Sequence, residues 1–227
     1  MESRSFQLFV GVVALLGAAA MAHACLEWRG TGEAAGLAAY ALLALAGSMI
    51  KVRIPGLTGT VSLGFLAVLT GVALMSLSET VLVVTAAGMV QSVWGAARRP
   101  KAIQVIFNSS LLAASTWVAY MAAHAMAPDS PTLQVAAAVA PLYLLNAGAV
   151  AALLSLLSTG TLSVIWEKFQ IAIFPCYLVG AVLAMLITQA RILQPNWAMT
   201  MPLVGLAYLS FNSYRTWMRG LSPSFRA

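Results

Sequence analysis

Charged residues and catalytic motifs are both scarce in this sequence. Asp, Glu, Lys and Arg make up 8% of its 227 residues, against about a quarter in soluble domains. It contains no HExxH metalloprotease motif, no GxSxG nucleophile motif and no phosphate-binding P-loop. No acidic or basic residue lies deep within an apolar run, where most ion pumps carry one. We therefore predict no enzyme activity, no cofactor and no ion pumping.

Cysteine is almost absent as well. Cys25 and Cys176 are the only two in the chain, and they lack the spacing of zinc ligands. The topology predicted below puts them at different depths in a membrane. We therefore expect neither a disulfide nor a zinc site.

Hydrophobic residues, by contrast, make up 61% of the chain and form long runs. The clearest example lies between Glu79 and Asn108. Eighteen uncharged residues follow Glu79, which at about 1.5 Å per residue cross nearly all of a hydrocarbon layer about 30 Å thick. Arg98, Arg99 and Lys101 then form a basic turn before the next apolar run. Such a turn is typical of the cytoplasmic side of a membrane protein.

The runs predict an all-α membrane protein, a polytopic bundle of about eight transmembrane helices with both ends in the cytoplasm. The whole chain, 1–227, is then one integral-membrane domain. The predicted helices are 6–24, 34–50, 60–77, 79–97, 102–126, 132–157, 169–190 and 197–217, followed by a basic tail, 218–227. This arrangement puts ten of the twelve basic residues inside and only Arg29 and Arg191 outside, in agreement with the positive-inside rule.

The net charge of +6 does not indicate nucleic acid binding, because the basic residues lie between and after apolar runs and the tail is short. We interpret them as topology signals and as contacts for anionic lipid head groups. The residues of this kind are Arg98, Arg99, Lys101, Arg215 and Arg219. The expected partner is therefore the lipid bilayer.

The first helix shares one feature with a secretory signal peptide. Residues 22–24, Ala-His-Ala, precede Cys25 and mimic a small-residue cleavage site. The apolar run before them is longer than a usual signal core. We therefore expect the first helix to be retained.

Polar side chains within the predicted helices fall at one depth. Gln91 lies seven residues before Arg98, and Asn108 lies seven after Lys101, so both amides are about 10 Å from the basic turn. Asn146 reaches about the same level. Gln104, Asn108 and Ser115 share one helix face, which we expect to look inward. The candidate layer consists of Gln91, Gln104, Asn108, Asn146 and Ser62.

Two interpretations of this layer remain open. The amides can line a cavity that binds a small ligand or responds to a signal. They can also be interhelical hydrogen bonds of about 1 kcal/mol or less each. Uncharged amides more often join membrane helices than form sites, so the sequence alone favours the second interpretation.

A second polar group is predicted at the outer ends of the helices. His23, Glu79 and His124, with Asp129 nearby, end or begin the first, fourth and fifth helices. Two histidines and two carboxylates can bind a metal or respond to protons near neutral pH. No pair has the spacing of metal ligands along the chain, so separately solvated side chains are the expected outcome.

Several segments together resemble an integral-membrane, MASE-like sensory region. That region lies at the N-terminus of bacterial signalling proteins with GGDEF or HD-GYP domains, which make or degrade cyclic di-GMP. The segments are PGLTGT at 55–60, VQ at 90–91 followed by RRP at 98–100, QVIFN at 104–108, PLYLLN at 141–146 and FPCYLVG at 174–180. The resemblance covers roughly 51–219 and implies a multi-pass protein of the bacterial inner membrane. The sequence stops at Ala227 without an output domain, which implies a separate partner protein.

Three hypotheses of function follow. The first is a stand-alone sensory or ligand-binding membrane module that acts through a cytoplasmic or membrane partner. The second is a solute-carrier component similar to the substrate-binding subunits of vitamin transporters, which usually have six helices. The third is an enzyme of lipid metabolism, which would need an acid or base within the bilayer that the sequence does not supply.

Overall fold

The computed structural model describes residues 4–30, 33–53, 60–96, 99–157 and 161–193. These residues form eight helices and one short antiparallel sheet of two strands. In chain order the elements are α1 (Arg4–Leu26), α2 (Ala34–Met49), β1 (Lys51–Arg53), β2 (Thr60–Ser62), α3 (Gly64–Leu74), α4 (Leu77–Val93), α5 (Ala102–Met126), α6 (Pro131–Leu157), α7 (Leu162–Ala172) and α8 (Phe174–Leu193). The predicted helical fold class is confirmed. The predicted helix 197–217 and tail 218–227 lie outside the described residues.

Four of the described helices have the length and composition of membrane spans. They are α1, α5, α6 and the Phe174–Arg191 part of α8. Three further helices, α2, α3 and α4, are apolar but shorter, with 16, 11 and 17 residues. At about 1.5 Å per residue, α2 and α4 are about 25 Å long and α3 about 16 Å.

The short helix α3 lies at the centre of the packed helices. Residues 64–72 are all buried, because α2, α4, α6 and α8 pack around them. Helix α1 lies at the periphery, where it packs against α4, α5 and α6. Its outer face exposes Leu8 and Leu15, which are 71% and 73% accessible.

Contacts between helix ends show that the helices alternate in direction. At one end, which we call the His23 end, Trp117 of α5 contacts His23 of α1, and Arg191 of α8 pairs with Glu33 before α2 at 2.6 Å. At the opposite end, which we call the Lys51 end, Lys51 Nζ of β1 donates to the carbonyl oxygen of Trp94 after α4. The starts and ends of successive long helices therefore meet in two separate layers.

The predicted helix 60–77 is wrong in its first part. Thr60, Val61 and Ser62 form strand β2, whose Cα partners in β1 are Arg53, Val52 and Lys51. Residues with β-branched side chains such as Thr and Val favour strands, and the partner strand lies beyond any local helical pattern. Helix α3 therefore begins only at Gly64.

The predicted helix 79–97 is displaced toward the N-terminus. Ser76 precedes α4, and its Oγ accepts from the Glu79 backbone N–H at 3.2 Å. Glu79 Oε2 in turn accepts from the Ser76 backbone N–H at 3.0 Å, which completes a capping box. The helix ends at Val93, and Gly95 follows with φ +62°, a left-handed conformation that favours glycine and ends helices.

The predicted helix 169–190 is two helices. Helix α7 ends at Ala172 and helix α8 begins at Phe174, so the helix is interrupted at Ile173. Pro175 lies in the first turn of α8, a position where the missing proline N–H costs no intrahelical bond. The short helix α7 joins α6 to α8 and packs against both.

Candidate functional site

Two predicted site residues, Ser62 and Gln91, meet beside Gly64. Ser62 is buried, and its Oγ accepts from the Gly64 backbone N–H at 3.2 Å. A methyl group at position 64 would lie 3.2 Å from Ser62 Oγ and 3.3 Å from Gln91 Oε1. The start of α3 and the last turns of α4 therefore approach one another at Gly64, where a larger residue would crowd both side chains.

Asn146 joins α6 to α8 instead. Its Nδ2 donates to Tyr177 Oη at 3.0 Å. The Tyr177 ring stacks on Phe65 of α3, with centroids 4.6 Å apart and planes 17° from parallel. Phe65 occupies the space next to Gly180, where any side chain would overlap its ring. Three helices are thus joined at one point by an amide and two rings.

Tyr143 is the hub of the surrounding rings. Its centroid lies 5.3 Å from that of Tyr177, 5.0 Å from Phe174 and 5.5 Å from Trp166. We call the six residues the aromatic–amide cluster; they are Phe65, Tyr143, Asn146, Trp166, Phe174 and Tyr177. The cluster brings together α3, α6, α7 and α8.

The Tyr143 hydroxyl is one of four buried hydroxyls that lack a hydrogen-bond partner among the described residues; the others belong to Thr70, Thr116 and Thr188. Tyr143 is 4% exposed, and within the described part of the chain its Oη has no hydrogen-bond partner. A buried hydroxyl without a partner costs about 1–3 kcal/mol. A tyrosine hydroxyl in this position can donate a hydrogen bond to an acceptor oxygen that comes within reach.

Asn108 and Gln104 do not face inward as predicted. Both side chains are exposed. Asn108 Nδ2 donates to Ser92 Oγ of α4 at 3.2 Å, and Gln104 Oε1 accepts from the Lys101 backbone N–H at 3.0 Å. Asn108 therefore joins two helices and Gln104 caps the first turn of its own helix. Ser115, the third residue of the predicted face, is buried as expected. The prediction is wrong for Gln104 and Asn108 because the packing of α5 against α1, α4 and α6 is not encoded in the spacing of its polar residues.

The basic turn is partly described. Arg99 and Lys101 are exposed, while Arg98, Arg215 and Arg219 lie outside the described residues. Lys51, at the same end, is partly buried, and this burial lowers the pKa of its ammonium group. The role of these residues in topology and lipid contact stays a prediction.

The members of the outer polar group have separate neighbours. His23 contacts Trp117 and Glu27, Glu79 belongs to the capping box, and the His124 ring stacks on Tyr120 at 4.0 Å. Among the residues that the structure describes, no three His, Cys, Asp or Glu side chains converge as metal ligands would. Each of the three predicted ligands is engaged with a different neighbour.

Sequence reasoning missed the rings of the cluster and Trp117. Aromatic residues within apolar runs count as hydrophobic. The comparison of the depths of polar side chains therefore did not include Tyr143 and Tyr177. One signal was available, because Tyr143 and Asn146 are three residues apart and share a helix face.

Comparison with known proteins adds no relative: no family model, no curated protein and no solved structure matches the chain.

Proposed function

We propose that the chain is a multi-pass protein of the bacterial inner membrane with both ends in the cytoplasm and about eight crossings. Four long apolar helices and an exposed apolar outer face support a lipid surrounding. The alternating helix ends support repeated crossing, and the excess of basic residues supports a cytoplasmic Lys51 end. A short helix such as α3 is tolerated at membrane depth because other helices enclose it.

The two native cysteines test this orientation. Cys25 is exposed at the His23 end and Cys176 is buried. A membrane-impermeant maleimide added to intact spheroplasts is expected to label the protein, and Cys25→Ser removes the label while Cys176→Ser does not. Labelling of Cys25 only in inverted vesicles would place the His23 end in the cytoplasm and reverse the orientation.

Within this membrane setting, the chain acts as a sensory or ligand-binding module that passes a signal to a partner protein. The observation that carries this proposal is the buried Tyr143 hydroxyl without a partner among the described residues. An apolar core gains stability without such a group, so a role in binding explains its presence. The cluster also touches α3, so a ligand there contacts the most enclosed helix.

The segments that resemble cyclic di-GMP signalling proteins support the same proposal. Two of them, 141–146 and 174–180, contain Tyr143, Asn146, Phe174 and Tyr177. The partner that this resemblance suggests is an enzyme that makes or degrades cyclic di-GMP.

Tyr143→Phe tests the site without disturbing packing. Because the hydroxyl makes no hydrogen bond within the described residues, its removal is expected to leave thermal stability unchanged or slightly higher. In a strain that lacks the gene, wild-type protein is expected to restore the cellular cyclic di-GMP level, and the Tyr143→Phe protein at equal abundance is expected to fail.

Tyr40→Phe is the matched control. The Tyr40 hydroxyl is also buried, but it donates to the Ala67 carbonyl oxygen at 3.1 Å, so its loss lowers stability by about 1 kcal/mol and spares signalling. Full restoration by Tyr143→Phe would exclude the hydroxyl from the site. An unchanged cyclic di-GMP level on deletion of the gene would exclude the signalling function itself.

A solute-carrier component is the second candidate. Six of the described helices, α1, α2, α4, α5, α6 and α8, have sixteen residues or more, and the substrate-binding subunits of vitamin transporters usually have six helices. Stoichiometric co-purification with a cytoplasmic ATPase, together with uptake of a vitamin that depends on the gene, would favour transport over signalling.

A further inference from the structure

His23 and Trp117 form a contact whose chemistry fixes the protonation of one atom. Trp117 Nε1 donates to His23 Nδ1 at 3.4 Å, and the rings meet edge to face with centroids 5.9 Å apart. An indole nitrogen can only donate. His23 Nδ1 must therefore carry no hydrogen while this bond exists, and the imidazole is neutral with its proton on Nε2.

The other nitrogen of His23 faces a carboxylate. Nε2 lies 3.7 Å from Glu27 Oε1, and the two side chains are 43% and 54% exposed. A proton from solvent can therefore reach the ring. When Nδ1 takes up this proton it can no longer accept from Trp117, whereas the positive ring attracts Glu27 more strongly.

We propose that His23 is a proton-binding site at the outer surface, where uptake of a proton exchanges the Trp117 hydrogen bond for an ion pair with Glu27. Histidine is the side chain that ordinarily changes charge between pH 5 and 8. External acidity is thus a stimulus that the module detects. Its placement at the outer surface rests on the orientation proposed above, whereas the proton-binding site itself is independent of the signalling partner.

Other ionisable groups surround this site. Glu27 lies at the end of its own helix, Glu79 at the start of α4, and Tyr120 and His124 near the end of α5. The first turn of α6, the third helix that packs against α1, carries no ionisable side chain, and Asp129 lies in the loop before it. Tyr120 interacts electrostatically with both Glu79 and Glu27.

The contact has a path to the central helix. Trp117 and Tyr120 are three residues apart on α5 and both pack against an apolar cluster that includes Leu77 and Val81 of α4. Tyr120 Oη donates to the Met75 carbonyl oxygen at 3.2 Å, directly after the end of α3. Packed side chains and one hydrogen bond thus connect Trp117 to the turn between α3 and α4.

Fluorine NMR of the full chain, labelled with 5-fluorotryptophan and held in detergent micelles, tests the proposal. The chain has six tryptophans, and Trp117→Phe identifies the Trp117 resonance by its disappearance. In the wild type this resonance is expected to shift with pH between 5 and 8. In His23→Gln it is expected to stay fixed, because a glutamine oxygen accepts from the indole at every pH.

Two further variants make the result specific. His124→Gln, which removes the other histidine at the His23 end, is expected to retain the shift. Glu27→Gln, which removes the expected ion-pair partner, is also expected to retain a response to pH, because protonation of Nδ1 alone ends its acceptance from the indole. A Trp117 resonance that does not respond to pH in the wild type, or one that responds equally in His23→Gln, would overturn the proposal. Because the measurement involves no partner, it can fail while the cyclic di-GMP test succeeds, and the reverse.

Discussion

Two glycines of α1 provide a direct test of how closely its neighbour packs. Gly17 faces α5, and a methyl group built on it would overlap the Cα, Cβ and carbonyl oxygen of Ser110. Backbone atoms of a helix cannot move aside as a side-chain end can. Gly11 lies six residues earlier on the same helix, and a methyl group there would meet nothing within 4 Å. Replacing either glycine by alanine adds one methyl group to α1. The two methyl groups enter different environments, one crowded and one open.

The expected difference in stability follows from two contributions. Alanine favours a helix over glycine by about 0.8–1 kcal/mol, and this term is common to both variants. Forcing an extra methyl group into a packed contact costs about 1–3 kcal/mol. This cost applies to Gly17→Ala and not to Gly11→Ala. Gly11→Ala should thus be neutral or slightly stabilised, and Gly17→Ala should be less stable than Gly11→Ala by about 1–3 kcal/mol.

Reversible unfolding by dodecyl sulfate in mixed micelles, followed by far-UV circular dichroism or tryptophan fluorescence, measures this difference. The comparison between the two variants removes the uncertainty of helix propensity in detergent, since that term cancels. Equal unfolding midpoints for Gly11→Ala and Gly17→Ala would refute the close contact of α1 with α5. They would also weaken the inference about His23, whose neighbour Trp117 lies across the same pair of helices.

The same unfolding assay checks two other features. Ser76→Ala removes the side-chain half of the capping box and is expected to lower the stability by about 1 kcal/mol; no change would show that the cap contributes nothing. Asn146→Leu removes the hydrogen bond to the buried Tyr177 hydroxyl and is expected to lower the free energy of unfolding by about 1 kcal/mol. Asn108→Leu changes an exposed position and is expected to lower it less. The opposite order would contradict the burial of the Asn146 contact.

The features that depend on local chemistry could be predicted from the sequence. Helix α5 has the predicted bounds, 102–126, because a basic turn with Pro100 precedes it and a proline-containing loop follows it. The α4 cap is a local feature of the same kind, because Ser76 and Glu79 are three residues apart. Both signals involve residues within one helical turn of each other, so no knowledge of the fold is needed.

Features that depend on distant residues could not be predicted in this way. Strand β2 exists because Thr60–Ser62 pairs with Lys51–Arg53, and its apolar and polar residues alone also fit a helix. The partner of Asn146 is 31 residues away, and Trp117 is 94 residues from His23. The amides were predicted to share one site because they lie at a similar depth. The rotation of each helix about its axis decides which side chains an amide contacts, and this rotation follows from helix packing alone.

The buried helix α3 connects the two sites proposed above. Phe65, in its first turn, belongs to the aromatic–amide cluster, and Met75, directly after its end, accepts from Tyr120. Since α3 has 11 residues, it is about 16 Å long, and its two ends contact the two sites. A proton bound at His23 that displaces α3 must then alter the surroundings of the cluster, and by reciprocity a ligand in the cluster must alter proton affinity at His23.

Trp166 of the cluster carries the same fluorine label as Trp117, so one pH titration observes both. A Trp166 resonance that shifts with the Trp117 midpoint, and becomes fixed in His23→Gln, is the expected result, whereas a Trp166 resonance that is constant while Trp117 shifts would show that the two sites are independent.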